Sequence, residues 1–328
     1  MDTYPKLLEE DYNMPVKIPD NLPAIELLKR ENIFVMSSLR ANEQDIRPLR
    51  VLVLNLMPLK ITTETDFIRL LSNNPLQVEM EFLRLETHVS KNTPQEHLEL
   101  FYKNFTEVAD QFYDGLIVTG APVEMLSFEE VTYWEELVKI FDWARTHVTS
   151  SLYICWASQA ALYHFHGVEK KPLDGKLFGV YKHTASLKKH PLFRGFDDEF
   201  YIPHSRHTTI DRADVLDKAG LQILSESPEA GLAILSSRGG REFYLTGHSE
   251  YNPYTLHEEY RRDVEKGAEI DVPQNYYRNN DPHEEPVVRW TSHANLLFNN
   301  WLNYFVYQET PFDVRDIPEL GDIPAQSE

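Results

Sequence analysis

The chain has 328 residues, 42% of them hydrophobic, and a formal net charge of −20. That composition supports a packed core and excludes global disorder, while so acidic a surface disfavours nucleic acid and anionic membranes as partners. The single cysteine, Cys155, excludes an intrachain disulfide and suits a reducing compartment.

The opening, MDTYPKLLEEDYN, is acidic and has no apolar stretch of the signal-peptide kind. No run approaches the roughly 20 apolar residues that cross a bilayer. We therefore expect a cytoplasmic protein with no membrane partner. Residues 1–13 read as a loose extension and 14–24 as a proline-rich, extended arm. Residues 27–40 mix a short helix with the apolar stretch IFVM.

The first clear strand is Arg50–Met57, RVLVLNLM, apolar on both faces as in a parallel strand covered by helices. Thr62 or Thr63 can cap the helix TETDFIRLL that follows. A second strand, VEMEFLRLE, starts at Val78, and a helix over 94–109 follows with Thr93 as its cap. A third strand, Asp114–Thr119, ends in Gly120-Ala121-Pro122. A helix over 132–147 leads to a fourth strand, Ser151–Ile154, which runs into Cys155 and the helix ASQAALYHF. Strands alternating with helices predict an α/β fold, a mostly parallel central sheet flanked by helices on both sides.

The second half is less regular. It predicts short strands at KLFGVYKH, GLQILSES, GLAILSSR and REFYLTGHSE, the last two forming a hairpin around Gly239-Gly240. A helix over 253–265, a polar loop over 266–289 and an aromatic-rich helix over 294–307 complete the body. The acidic tail, 312–328, carries prolines and is expected to be loose at its end.

Cys155 sits at a strand-to-helix turn, which presents a side chain at the carboxyl edge of a sheet in front of helix N-terminal N–H groups. Position alone leaves a nucleophile and a buried apolar filler equally open. His248 and Glu250 lie two apart at a predicted strand end, spaced to point the same way. A carboxylate there fixes the imidazole tautomer and stabilises its charged form. Alone the pair is a weak signal; with an elbow cysteine it points to a Cys-His-Glu triad. Gly120-Ala121-Pro122 reads first as a strand-ending turn, with an oxyanion role as the alternative. His164 and His166 lack the company of a zinc site, so no metal is expected. No Walker loop or GxGxxG fingerprint occurs. Arg261 and Arg262 read by default as a solvated helix face.

The stretches MPVKIPDNLPA, RPLRVLVLNLMPLKI, YDGLIVTGAPVE, YICWASQAAL, YIPHSR, YLTGHSEY and SHANLLFNNWLNYFVYQETP occur in this order from Met14 to about Pro311. In this set the chain resembles the homoserine O-acyltransferase family, within the class I glutamine-amidotransferase-like superfamily. The resemblance implies one acyltransferase domain over 14–311 with a flavodoxin-like sheet and a nucleophile elbow. It implies Cys155 as the acylated nucleophile, His248 as general base and Glu250 as its orienting carboxylate. Lys176, Ser205 and Arg262 match substrate-binding positions. Lys60 and the backbone N–H of Trp156 match an oxyanion site. The co-substrates implied are acyl-CoA and L-homoserine, with no bound cofactor, in a homodimer serving methionine synthesis.

Glu124, in GAPVE, stands where family members that use succinyl-CoA carry glycine. A carboxylate beside the acyl group repels the free carboxylate of a succinyl group and fills its space. The resemblance therefore favours acetyl-CoA, with succinyl-CoA as the alternative and a glutamine amidotransferase as a remoter one.

Overall fold

The computed structural model describes residues 47–88, 90 and 92–320, together with 16–18, 22–23, 25–27 and 36–37. The expected extension over 1–13, most of the arm and helix expected over 14–40, and residues 321–328 of the tail lie outside the described residues.

The strands are β1 (Val16–Ile18), β2 (Met36–Ser37), β3 (Leu49–Leu54), β4 (Val78–Leu83), β5 (Tyr102–Lys103) and β6 (Tyr113–Val118). They continue as β7 (Val148–Ile154), β8 (Lys170–Ala185), β9 (Phe200–Ile210), β10 (Leu221–Ser227), β11 (Gly231–Ser237) and β12 (Glu242–Leu245). The α-helices are α1 (Lys60–Leu71), α2 (Gln95–Phe101), α3 (Phe105–Val108), α4 (Trp134–His147), α5 (Trp156–His166), α6 (Arg212–Leu216), α7 (Thr255–Glu265) and α8 (Thr291–Asn300).

One sheet runs β2-β1-β4-β3-β6-β7-β12-β11-β10-β8-β9, with β5 beside β4. The pairs from β2 through β12 are parallel, and those from β12 through β9 are antiparallel. The fold is the expected α/β architecture, mostly parallel at its centre. Alternation along β3 explains its two-sided apolar sequence: Val51 and Val53 enter one core, Leu52 and Leu54 the other. Phe67, Ile68 and Leu71 of α1 and Leu297 and Phe298 of α8 cover the first face. Leu137, Ile140 and Phe141 of α4 and Ala157, Ala160 and Ala161 of α5 cover the second. Gly115 matters because a Cβ there would stand 2.9 Å from the ring of Trp301.

Several local expectations change. α1 starts at Lys60, so Thr63 lies inside it and bonds back to the Leu59 carbonyl at 3.1 Å instead of capping. The helix expected over 94–109 is split by β5 into α2 and α3, and Pro94, not Thr93, precedes it. The aromatic helix begins at Thr291 and widens to a π-helix over Trp301–Tyr307. β9 was not expected at all. Its apolar alternation, Phe200, Ile202 and Ile210, is broken by Pro203 and by buried His204, Arg206 and Thr208; Arg206 donates to His204 and to the Thr208 carbonyl, and the Thr208 hydroxyl donates to Gln159 at 2.7 Å. Of the acidic tail, residues 314–319 form a 3-10 turn with Ile317 buried, and Arg241 donates to the Leu320 carbonyl.

Candidate active site

β7 ends at Ile154 and α5 begins at Trp156, so a single residue, Cys155, makes the whole turn. Its φ of 52° and ψ of −115° are a conformation that L-residues rarely adopt. The backbone holds it there: Cys155 N–H donates to the Leu245 carbonyl of β12 at 2.6 Å, and its carbonyl receives the N–H groups of Ser158 and Gln159. The Trp156 N–H is the first of α5 and has no carbonyl four residues back to bond. It is therefore a donor at the elbow, as expected of an oxyanion site.

β12 is the parallel neighbour of β7, which brings the following turn beside the cysteine. His248 lies beyond the strand, which stops at Leu245, so the same-side spacing expected of an extended segment does not apply. The turn achieves the pairing instead: His248 Nδ1 is 2.6 Å from Glu250 Oε1. Its backbone N–H donates to the Pro203 carbonyl at 2.8 Å. Its ring stacks on Tyr251 with centroids 4.1 Å apart. A Cβ at Gly120 would stand 3.2 Å from Cys155 Cβ and 3.3 Å from His248 Cε1. Cysteine and imidazole thus flank one small gap that only glycine leaves open. Burial alone would lower the pKa of His248. The charge and hydrogen bonding of Cys155 and Glu250 outweigh it and hold the imidazole well above its ordinary range.

Cys155, His248 and the Gly120–Leu126 loop form one side of a cleft of about 390 Å³. The loop that reads as a plain strand-ending turn is thus a wall of the site, and Glu124 is on it, half-buried. The lining also includes Lys176, Ser205, Tyr251 and Arg262, joined by Glu259 and Asp263, which sequence reasoning missed. Ser205 donates to Glu259 at 2.6 Å and Tyr251 donates to its other oxygen at 3.0 Å. Lys176 lies 3.6 Å from Glu259 and 3.5 Å from Asp263. Arg262 donates twice to Asp263, at 2.7 and 3.0 Å. Glu259, Arg262 and Asp263 share one face of α7 at spacings of three and four, a pattern present in EEYRRDVE. Lys176 and Ser205 come from the antiparallel β8–β9 pair, where Phe178 is opposite Ser205.

Lys60 is not brought into the cleft. It is buried at the start of α1, and its ammonium donates to the Asn55 carbonyl. Burial, partly offset by Glu64, lowers its pKa to about 8. It lines a separate small cavity with Asn55, Arg84 and Tyr133. His164 and His166 also part company: one meets Asp142, the other the Tyr244 hydroxyl.

A buried polar chain runs through β8 and β9. Arg206, 1% exposed, donates to the Thr208 and Ala230 carbonyls at 2.6 Å each and to His204 Nδ1 at 3.4 Å. His204 Nε2 is 3.2 Å from His183 Nε2, and His183 Nδ1 is 2.9 Å from the Tyr181 carbonyl. A carbonyl only accepts, so His183 is protonated on Nδ1 and accepts at Nε2. His204 then donates from Nε2 and accepts from Arg206. The chain is satisfied only with both rings neutral. Burial pushes His183 down to about 4 and His204 well below its ordinary value.

The family model described as homoserine O-succinyltransferase matches residues 15–312. A relative named homoserine O-acetyltransferase, from Parabacteroides distasonis, is 66% identical over 94% of this chain and all of that protein. One of the same name from Bacteroides fragilis is 62% identical over 93% of this chain and all of that protein. Among solved structures, a glutamine amidotransferase from Thermotoga maritima superposes with a TM-score of 0.54 at 15% identity, over 80% of this chain and all of that one. At that identity the likeness concerns the fold. Among the described residues, no helix is long and apolar enough to cross a membrane.

Proposed function

Since this chain belongs to the homoserine O-succinyltransferase family, we propose that it is a homoserine O-acetyltransferase that carries the acetyl group on Cys155. The observation that carries the reading is the joining of two halves in one cleft. Cys155 and the His248–Glu250 pair form one half, and a zwitterion-binding set of cations and carboxylates forms the other. The names of the relatives, at 66% and 62% identity, support acetyl as the group transferred.

The Cys155 thiolate attacks the thioester carbon of acetyl-CoA. Negative charge moves to the carbonyl oxygen, and the Trp156 N–H is the donor at hand to stabilise it. The carbon–sulfur bond to CoA breaks, and the departing thiolate takes the proton from His248. This leaves S-acetyl-Cys155 and a neutral imidazole. Homoserine then binds with its α-carboxylate toward Arg262 and Lys176 and its ammonium toward Glu259 and Asp263. Neutral His248 takes the γ-hydroxyl proton as the oxygen attacks the acyl carbon. The bond to Cys155 breaks, O-acetylhomoserine leaves, and the thiolate–imidazolium pair is restored. Glu250 holds the ring by Nδ1 throughout.

Glu124, on the loop facing this chemistry, is the element we hold responsible for acetyl over succinyl. A nucleophile that must stay reduced suits the cytoplasm. A homodimer is part of the same proposal.

Mass spectrometry tests the reading. Acetyl-CoA alone should leave an acetyl adduct on the Cys155 peptide, and homoserine should discharge it. Absence of that adduct from folded protein, with succinyl-CoA equally inert, defeats the proposal.

A further inference from the structure

Glu124 discriminates between acyl groups only if its backbone stays where it is, and in the Gly120–Leu126 loop Ala121 and Val123 pack on the core while the far end is exposed. Met125 is 70% exposed and Leu126 43% exposed. The loop leaves the sheet at β6. It re-enters regular structure at a 3-10 turn over Phe128–Glu130, where Ser127 and Glu130 form a capping box. Between those ends a side chain from elsewhere bonds to its backbone. Lys170, at the first position of β8, donates its ammonium to the Glu124 carbonyl at 2.5 Å and to the Leu126 carbonyl as well.

We propose that Lys170 is a positioning residue for acyl-donor selectivity: by clamping the carbonyls of Glu124 and Leu126 it holds the Glu124 carboxylate against the acyl group. This rests on the reading of Glu124 given above.

The clamp is built rather than incidental. The ammonium lies 4.6 Å from the centre of the Phe128 ring, a cation–π contact on a side chain only 2% exposed. That ring stacks on Trp134 and Tyr163 and lies 6.0 Å from Trp156, the residue after the nucleophile. Lys170 therefore ties the specificity wall to the same aromatic cluster that seats the elbow helix. Two charge-assisted bonds to carbonyls fix the peptide planes that follow Glu124 and Leu126. A neutral chain of similar length keeps the apolar stem and loses both bonds. Burial depresses the Lys170 pKa, opposed by Glu124, Glu129 and Glu130, consistent with a desolvated ammonium. In the sequence the residue is one of a pair of lysines in VEKK and reads as surface charge.

The test measures kcat/KM for acetyl-CoA and for succinyl-CoA in wild type, Lys170→Met, Lys170→Arg, Glu124→Gly and the double variant Lys170→Met/Glu124→Gly. Losing hydrogen bonds to a charged donor should shrink the acetyl preference of Lys170→Met about tenfold, with most of it regained in Lys170→Arg. The double variant should match Glu124→Gly, since the clamp then has nothing to position. Hydrogen exchange across 121–127 should quicken in Lys170→Met. Should that variant fold poorly, Lys170→Gln, which keeps one weaker donor, gives the same ratio at smaller amplitude. An unchanged ratio in Lys170→Met, with Glu124→Gly collapsing it, overturns the clamp alone. An unchanged ratio in Glu124→Gly overturns the reading of Glu124 and the clamp with it.

Discussion

His248 Nδ1 lies 2.6 Å from one oxygen of Glu250, and the other oxygen of that carboxylate is buried with no hydrogen-bond partner among the described residues. A buried carboxylate oxygen left bare is costly, so the imidazole is the partner that repays the burial of Glu250. The pairing is thus both a tautomer lock and a charge balance for the imidazolium.

Replacing Glu250 by Gln keeps the shape and removes the charge. The amide can present a donor to Nδ1 and favour the wrong tautomer. Turnover should fall about 10²- to 10⁴-fold, with the melting temperature little changed. Steady-state kinetics beside a thermal melt checks this. Turnover within a few-fold of wild type would mean that Glu250 does not orient the base.

Glu259 makes a separate prediction because it touches the amino-acid half of the cleft and not the sulfur. It accepts from Ser205 and Tyr251 and faces Lys176. Glu259→Gln should raise KM for homoserine about 10- to 100-fold, the worth of a hydrogen bond to a charged group. Acetylation of Cys155 by acetyl-CoA, read in a single turnover without homoserine, should keep its wild-type rate. A slowed acetylation with unchanged KM would place Glu259 with the acyl donor.

The parts of the site that a sequence displays are those carried by one short stretch. Cys155 at a strand-to-helix junction and His248-x-Glu250 beyond a strand are of this kind, as is the apolar run of β3. What pairs through space stayed hidden. Glu259 and Asp263 meet Lys176 and Ser205 only because β8 and β9 fold as one antiparallel ribbon, and β9 itself is masked by its buried polar residues. Lys60 differs in another way: the resemblance carried by NLMPLKI implies an oxyanion role, and the helix starting there turns its ammonium to the Asn55 carbonyl.

Glu124→Gly removes both the charge and the bulk that face the acyl group. It should raise kcat/KM for succinyl-CoA by about 10- to 100-fold, the scale of removing a like-charge contact and a steric block. Use of acetyl-CoA should change only a few-fold. Donor competition with mass-spectrometric readout of O-acetyl- and O-succinylhomoserine measures it directly. Acetyl-only product from the variant would move the selectivity elsewhere.

His183 and His204 yield a prediction about stability, with its sign fixed by the direction of their shifts. Both are buried neutral, and His183 is pushed down to about 4 in the folded protein. A depressed folded pKa contributes stability that is present above the unfolded value near 6.5 and lost as pH falls through the folded one. The window is therefore about pH 6.5 to 4, and the His183 contribution is on the order of 3 kcal/mol. His183→Gln preserves a donor for the Tyr181 carbonyl and an acceptor for His204 but does not titrate. Thermal melts from pH 7 to pH 4.5 should therefore show wild type losing stability relative to this variant as the solution is acidified. Acid-labile carboxylate pairs elsewhere are common to both proteins and cancel in the comparison. A difference that stays constant across the window would mean that His183 accepts a proton without cost, and that the neutral chain from Arg206 to Tyr181 does not hold.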